Sequence, residues 1–249
     1  MKTRPYILSI AGFDPSSGAG LTSDVKTNEA LKCYGLSVCT ANTVQNDIEF
    51  TACHWVPIDI IKSQIVVLFN RFEVDFIKIG IVENWNVLLE ILSFILLKKP
   101  EVKIILDPVL QSSSDFKFHN SEENTLDQIL EKIYLITPNY HEIQQLYSDK
   151  NIEETVTHIQ SKTNLFLKGG HNESAVGRDQ LFLTDTGKQY TLNPKQKGCS
   201  EKHGSGCVLS SAIISYLALG FPLLKACYRA KRYTEKFLTS NKTLLGTHV

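Results

Sequence analysis

The sequence predicts an α/β fold on a mostly parallel sheet, with helices covering both faces. Three observations carry that expectation. Short apolar runs alternate with segments of helical periodicity. The runs are apolar on nearly every residue, as strands covered on both faces are. Glycines and polar residues collect at the same ends of the runs. The runs lie at residues 6–10, 36–40, 76–79, 102–106, 134–137 and 165–168. Between them, Ile61, Ile65, Leu68 and Phe69 follow i, i+4, i+7, i+8, and Trp85, Leu88, Leu89 and Leu92 follow i, i+3, i+4, i+7. Leu126, Ile129, Leu130 and Ile133 repeat the second pattern. Residues 178–183 and 188–192, joined at Asp185-Thr186-Gly187, read as a hairpin on an antiparallel edge. Two helices follow, near 204–219 and 222–238, the second with Ala226, Ala230, Tyr233 and Phe237 as its buried stripe. No repeat or Pro/Gly-rich linker interrupts the chain, so one domain over residues 1–249 is expected.

Composition excludes several functions. The 249 residues are 43% hydrophobic and 21% charged, as in an ordinary globular protein. The 26 basic and 26 acidic residues cancel, leaving no general attraction for nucleic acid or an anionic membrane. No apolar run reaches the roughly 18–20 residues of a membrane span, and no secretory apolar region follows the first residues, so a cytoplasmic protein is expected. The six cysteines form no Cys-x-x-Cys pair, against a zinc or thioredoxin motif, and most read as buried thiols.

In open parallel sheets, ligands bind beyond the carboxyl ends of the strands. After the first run come Gly12, Asp14 and residues 16–20, Ser-Ser-Gly-Ala-Gly. After the second come Asn42, Gln45 and Asn46, and after the third Gly80. The fourth ends in Asp107-Pro108, the fifth in Pro138-Asn139 with Glu142 beyond, and the sixth in Lys168-Gly169-Gly170-His171. Residues 12–20 open a helix but match neither a Walker A loop nor the dinucleotide fingerprint, so a structural turn and a binding loop both remain open. His203-Gly204-Ser205-Gly206-Cys207 is sharper. It begins a helix of small residues whose free N–H groups form an anion-binding concavity. The positive end of the helix dipole there favours a Cys207 thiolate. Asp107 and Glu142, at neighbouring strand ends, suit Mg²⁺, which takes one or two carboxylates plus water and phosphate oxygens. Lys168 is placed to neutralise a transferring phosphoryl group. His54, His119, His158 and His248 are isolated and receive no role.

Together with Tyr34-Gly35, Val44-Gln45-Asn46, Lys78-Ile79-Gly80 and Leu106-Asp107-Pro108-Val109, these motifs resemble, in order and spacing, the hydroxymethylpyrimidine/phosphomethylpyrimidine kinases of thiamine biosynthesis. The resemblance covers roughly residues 6–240. It implies a ribokinase-like three-layer α/β/α sandwich, usually a homodimer, that moves the γ-phosphate of ATP with Mg²⁺ to a small pyrimidine. Carried over by position, Gly204, Ser205 and Gly206 form the anion hole, and Cys207 takes the catalytic-base position. Asn139 and Glu142 match the element for nucleotide phosphate and metal, with Asp107 as the second metal carboxylate. Lys168 and Ser205 serve the nucleotide, and Gln45, Gly12 and Asp24 the pyrimidine.

The sequence departs from that pattern in three places. Residues 110–114 (Leu-Gln-Ser-Ser-Ser) lack the expected Lys and Gly of a flap, Ile81 replaces a Met, and Ser200-Glu201-Lys202 replaces the usual lead-in to His203. The alternative reading is a pyridoxal or pyridoxine kinase on the same scaffold. A third is a catalytically silent ligand-binding protein, against which the retention of Asp107, Glu142 and residues 204–207 speaks.

Overall fold

Apolar side chains on both faces of each central strand require a layer of helices on either side, and the chain supplies them. The structure, a computed structural model, describes residues 4–110, 123–170, 175–196 and 198–248. Its elements run β1 (Tyr6–Phe13), α1 (Gly20–Ala30), β2 (Tyr34–Gln45), β3 (Phe50–Trp55), α2 (Ile58–Arg71), β4 (Val74–Ile79), α3 (Trp85–Lys98), β5 (Lys103–Leu106) and α4 (Glu123–Leu130). There follow β6 (Leu135–Ile136), α5 (Tyr140–Leu146), α6 (Ile152–Gln160), β7 (Asn164–Leu167), β8 (Asp179–Phe182), β9 (Gln189–Leu192), α7 (Ser205–Ala218) and α8 (Leu223–Leu238). One sheet of nine strands has the order β3-β2-β1-β4-β5-β6-β7-β8-β9. The strands from β2 to β7 pair in parallel; β3 and β8 run against their neighbours.

Alternate residues feed two cores. Leu8, Ile10, Ile77, Ile79, Ile104, Leu106, Ile136, Leu165 and Leu167 pack under α2 to α6. Ile7, Ile105, Leu135 and Phe166 pack under α7 and α8, where Ala226, Ala230, Tyr233 and Phe237 form the expected stripe. This is the three-layer α/β/α arrangement. Each buried Leu, Ile or Phe side chain contributes roughly 1.5–3 kcal/mol relative to exposure, so the layers outweigh any single polar contact in holding the sheet.

The six expected strands are present, and so is the hairpin, as β8 and β9. The structure adds β3 and extends β2 to Gln45, so Asn42 and Gln45 lie within a strand and not after it. The pairing of β1 with β2 ends at Phe13–Asn42, and beyond it, among the described residues, β3 alone accompanies β2. The cysteines also differ from expectation. All six are free, but only Cys33 and Cys227 are fully buried, Cys39, Cys53 and Cys207 are half-buried, and Cys199 is exposed. No helix among the described residues is long and apolar enough to cross a membrane.

Candidate functional site

The two glycine segments, read separately in the sequence, form one structure. Asp14 is buried and its carboxylate accepts from the amides of Ser16 (2.8 Å), Gly18 (3.1 Å) and Ala19 (2.8 Å). His203 Nε2 lies 2.9 Å from the same carboxylate and ties this loop to the start of α7. Burial works against the ionised Asp14, but His203, Ser16 and the amides outweigh it and hold its pKa below the usual range. Backbone meets backbone here. A Cβ on Gly204, which has φ +74°, would stand 2.0 Å from the Gly18 carbonyl oxygen, so only glycine fits this left-handed turn. Sequence reasoning did not foresee the Asp14–His203 pair, because nothing local links residues 189 positions apart.

Lys202, one of the departures, has a structural role. It is buried, and its ammonium donates to the carbonyl (2.8 Å) and Oδ1 (3.0 Å) of Asn241 and to the carbonyl of Thr243. With the His203 amide donating to the Leu244 carbonyl (2.9 Å), it straps residues 241–245 against the α7 entry.

Helix α7 starts without a side-chain cap. The Ser205 amide reaches back to the Lys202 carbonyl (3.2 Å), a correction to the expectation that it stays open. Among the described residues the amides of Gly204, Gly206 and Cys207 have no partner, as an anion-binding helix start requires. In the first turn the Cys207 sulfur accepts from the Gly20 amide at the start of α1. The expected lowering of its pKa is not what the structure gives. Burial pushes the thiol up to about 11; Lys78 pulls it down, while Asp24 and Asp107 oppose that pull. Desolvation exceeds the helix dipole, whose effect is roughly 0.3–1 kcal/mol at most sites.

Lys168 leaves β7 at the sheet edge and points at this turn. Its ammonium would lie 3.3 Å from a Cβ placed on Gly206. It donates to Asp107 Oδ1 (2.8 Å) and stands 3.5 Å from Glu142 Oε2. Burial disfavours its charge, but Asp107 and Glu142 hold it well above the ordinary lysine range. Asp107 is fully buried, and both its oxygens are engaged, Oδ1 by Lys168 and Thr137 and Oδ2 by Ser210 (3.2 Å). Direct metal ligation by Asp107 is therefore not how the structure places it; its carboxylate orients Lys168. Glu142 and Asn139 form a capping box on α5, Glu142 Oε2 accepting from the Asn139 amide (2.7 Å) and Asn139 Oδ1 from the amides of His141 and Glu142. For a ligand Asn139 thus offers its Nδ2. Glu142 Oε1 has no donor among the described residues. Burial pushes this carboxyl up to about 7, Lys168 pulling it down and Asp107 adding to the rise.

The residues expected to face the pyrimidine divide. Gln45 is half-buried on β2. Its Nε2 donates to Thr43 Oγ1 (2.8 Å), which in turn donates to the Phe13 carbonyl, so the amide is held in one orientation with Oε1 open. Gly12 is buried at a register shift in β1, where a Cβ would stand 2.5 Å from Ile81; it shapes the wall and offers little surface. Asp24 is fully buried, held by Lys78 and Ser211, so it does not face a substrate. The segment after Leu110 that departs from the expected flap falls at residues 111–122, outside the described residues, as do His119 and His171.

The chain is similar to known proteins over nearly its whole length. The phosphomethylpyrimidine kinase family matches residues 14–249. The hydroxymethylpyrimidine/phosphomethylpyrimidine kinase of Aquifex aeolicus is 31% identical over 247 residues, covering 95% of this chain and 95% of that protein. The chain spans 45% of the probable thiamine biosynthetic bifunctional enzyme of rice, Oryza sativa subsp. japonica, at 32% identity. The phosphomethylpyrimidine kinase structure from Clostridium difficile 630 superposes with a TM-score of 0.77 at 32% identity, covering 94% of this chain and 99% of that one. The pyridoxal kinase of Staphylococcus aureus with ADP shares the fold, with a TM-score of 0.82 at 23% identity over 98% of this chain and 91% of that one. With the match running from Asp14 through Lys168 and Cys207, the chain belongs to the phosphomethylpyrimidine kinase family.

Proposed function

We propose that the chain, acting as a single domain, transfers the γ-phosphate of ATP to 4-amino-5-hydroxymethyl-2-methylpyrimidine and then to the resulting monophosphate. One observation carries this reading: the open amides of Gly204, Gly206 and Cys207 begin α7 beside the Lys168 ammonium, which would lie 3.3 Å from a Cβ placed on Gly206. Phosphoryl transfer is mostly positioning and charge neutralisation, and those groups supply both. Cys207 stands in the same turn to take the proton of the attacking hydroxyl, and Asn139 Nδ2 and the Ser205 hydroxyl are available to nucleotide phosphates.

A divalent cation, Mg²⁺ in this proposal, fits the donor set through Glu142. A buried carboxylate with an open oxygen and a pKa near 7 gains from a neighbouring cation. No cluster of three or more acidic, His or Cys ligands exists among the described residues, so a cation held by Glu142 would need phosphate oxygens and water as further ligands. When bound, the cation would neutralise phosphate charge, with Glu142 holding it and Asp107 keeping the Lys168 ammonium in place. We further propose a cytoplasmic homodimer.

Gln45 supports the pyrimidine over pyridoxal. A 4-aminopyrimidine presents an N–H donor beside a ring-nitrogen acceptor, which a carboxamide matches with two hydrogen bonds. Pyridoxal lacks the amine and leaves Oε1 unpaired, costing on the order of 1–3 kcal/mol if buried. The fold shared with pyridoxal kinases favours the second reading, phosphorylation of a B6 vitamer. Measuring kcat/KM for both substrates decides between them. The pyrimidine should be preferred, and Gln45→Ala should raise its KM about tenfold with the KM for ATP unchanged; a clear preference for pyridoxal overturns the proposal.

A further inference from the structure

Beneath the Cys207 turn lies a buried ammonium that the proposed chemistry leaves unused. Lys78 stands on β4, in register with Ser9 of β1 and Ile105 of β5, on the face covered by α1 and α7. It is fully buried and donates to both oxygens of Asp24, at 3.0 and 2.9 Å. Gly80 leaves room for it, since a Cβ there would approach the ammonium to 3.1 Å. Stability alone is a weak reason for such a pair, because apolar residues of similar volume often serve as well or better.

The pair forms part of a ladder between α1 and α7. The Gly20 amide meets the Cys207 sulfur, Asp24 accepts from Ser211 (2.7 Å), and Asn28 accepts from Ser215 (2.9 Å). These rungs fall at i, i+4 and i+8 on both helices, so the helices lie side by side, point the same way and end together at Cys207. Four charged groups act on the thiol: Asp24 from α1, Lys78 from β4, Asp107 after β5 and Lys168 after β7. Asp107 and Lys168 engage one another.

We propose that Lys78 is a positioning residue of the phosphoryl-transfer site: it sets a fixed positive charge beneath Cys207 and, through Asp24 and Ser211, keeps the start of α7 in register with α1. Its importance for turnover rests on the reading of Cys207 as proton acceptor, but the charge coupling is measurable on the thiol itself.

The test is the rate of Cys207 alkylation by iodoacetamide at pH 8.5 on the full chain, followed at that peptide by mass spectrometry. Below its pKa a thiol reacts in proportion to its thiolate fraction, so a pKa higher or lower by about one changes the rate roughly tenfold. Lys78→Met should slow alkylation by roughly tenfold, Asp24→Asn should speed it by roughly threefold or more, and the double variant should return close to the wild-type rate. A merely structural role loosens the site in both single variants and speeds both; changes of the same sign, or none, overturn the proposal. Lys78→Met leaves a buried carboxylate unpaired and is the variant at risk of not folding; Asp24→Asn and the double variant then decide alone. Cys207→Ala assayed for turnover separates the two readings: wild-type activity there removes the base role and leaves the opposite alkylation changes standing.

Discussion

Replacing Cys207 by alanine isolates the proton-transfer role from the anion-binding amides, which belong to the backbone and stay. With its thiol near 11, Cys207 at pH 7.5 is thiolate in only about one molecule in 3,000. Because kcat/KM reports the ionisation of free enzyme and substrate, log kcat/KM for the pyrimidine should climb by about one per pH unit between pH 7 and 9. Cys207→Ala should lower kcat by roughly 10²–10⁴ and lose the climb, with the KM for ATP little changed. Cys207→Asp should retain more activity than alanine and also lose the climb. A coupled assay of ADP release across that range supplies each number. The reasoning fails if Cys207→Ala turns over at a near wild-type rate, or if the wild-type profile is flat. The same thiol predicts alkaline instability. Its proton is held more tightly folded, at about 11, than at the ordinary 9.0, so its contribution to stability is complete below pH 9 and lost as pH rises towards 11.

Two further substitutions probe the surroundings. Glu142→Gln preserves the capping box, since Gln serves at that position, but should raise the Mg²⁺ needed for half-maximal rate while leaving pyrimidine affinity nearly intact; a superimposable titration rejects the metal role. The wild-type carboxyl, about 7 folded against 4.5 unfolded, contributes stability below pH 4.5 that is lost as pH rises through 7, so melting at pH 5 and 8 should differ less in the variant. Gly204→Ala should cost at least about 2 kcal/mol and abolish activity, because positive φ and the Gly18 carbonyl both oppose a Cβ. Gly187→Ala, with φ +66° but open space, should cost only about 1 kcal/mol and leave turnover unchanged; equal losses in a urea melt at both glycines would show that loop contact adds nothing.

The central strands were legible because burial on both faces leaves an unbroken apolar run, as in residues 102–106. Strand β3 was not: Phe50–Trp55 is half-exposed, pairs on one side only and mixes Thr, Cys and His with its aromatics. The end of β2 was missed for a related reason, since Asn42 and Gln45 project past the main sheet, where no second core selects apolar residues. The Asn139–Glu142 spacing was visible and read only as a ligand motif. The same three-residue spacing is what a helix cap uses, and the structure shows the cap. Asp24 shows the opposite limit. The resemblance gave it to the substrate, but its partner Lys78 lies 54 residues away, and no local pattern encodes that pairing.

Cys207 shows why a correct motif can carry the wrong electrostatics. A sequence displays the helix start and therefore the sign of the dipole, but the cost of burial depends on everything packed around the sulfur. Once the chain is folded, two ammoniums, Lys78 and Lys168, stand beside two carboxylates that pair with them, Asp24 and Asp107. Those charges largely cancel at the thiol, and desolvation is what remains. The same balance governs Glu142, which competes with Asp107 for Lys168. Burial thus suppresses negative charge on just the two groups assigned to the proton and the cation. Lys168 acts on both groups, so Lys168→Met should raise both pKa values together, read at Cys207 as slower alkylation at pH 8.5; an unchanged alkylation rate would show that Lys168 does not reach the thiol.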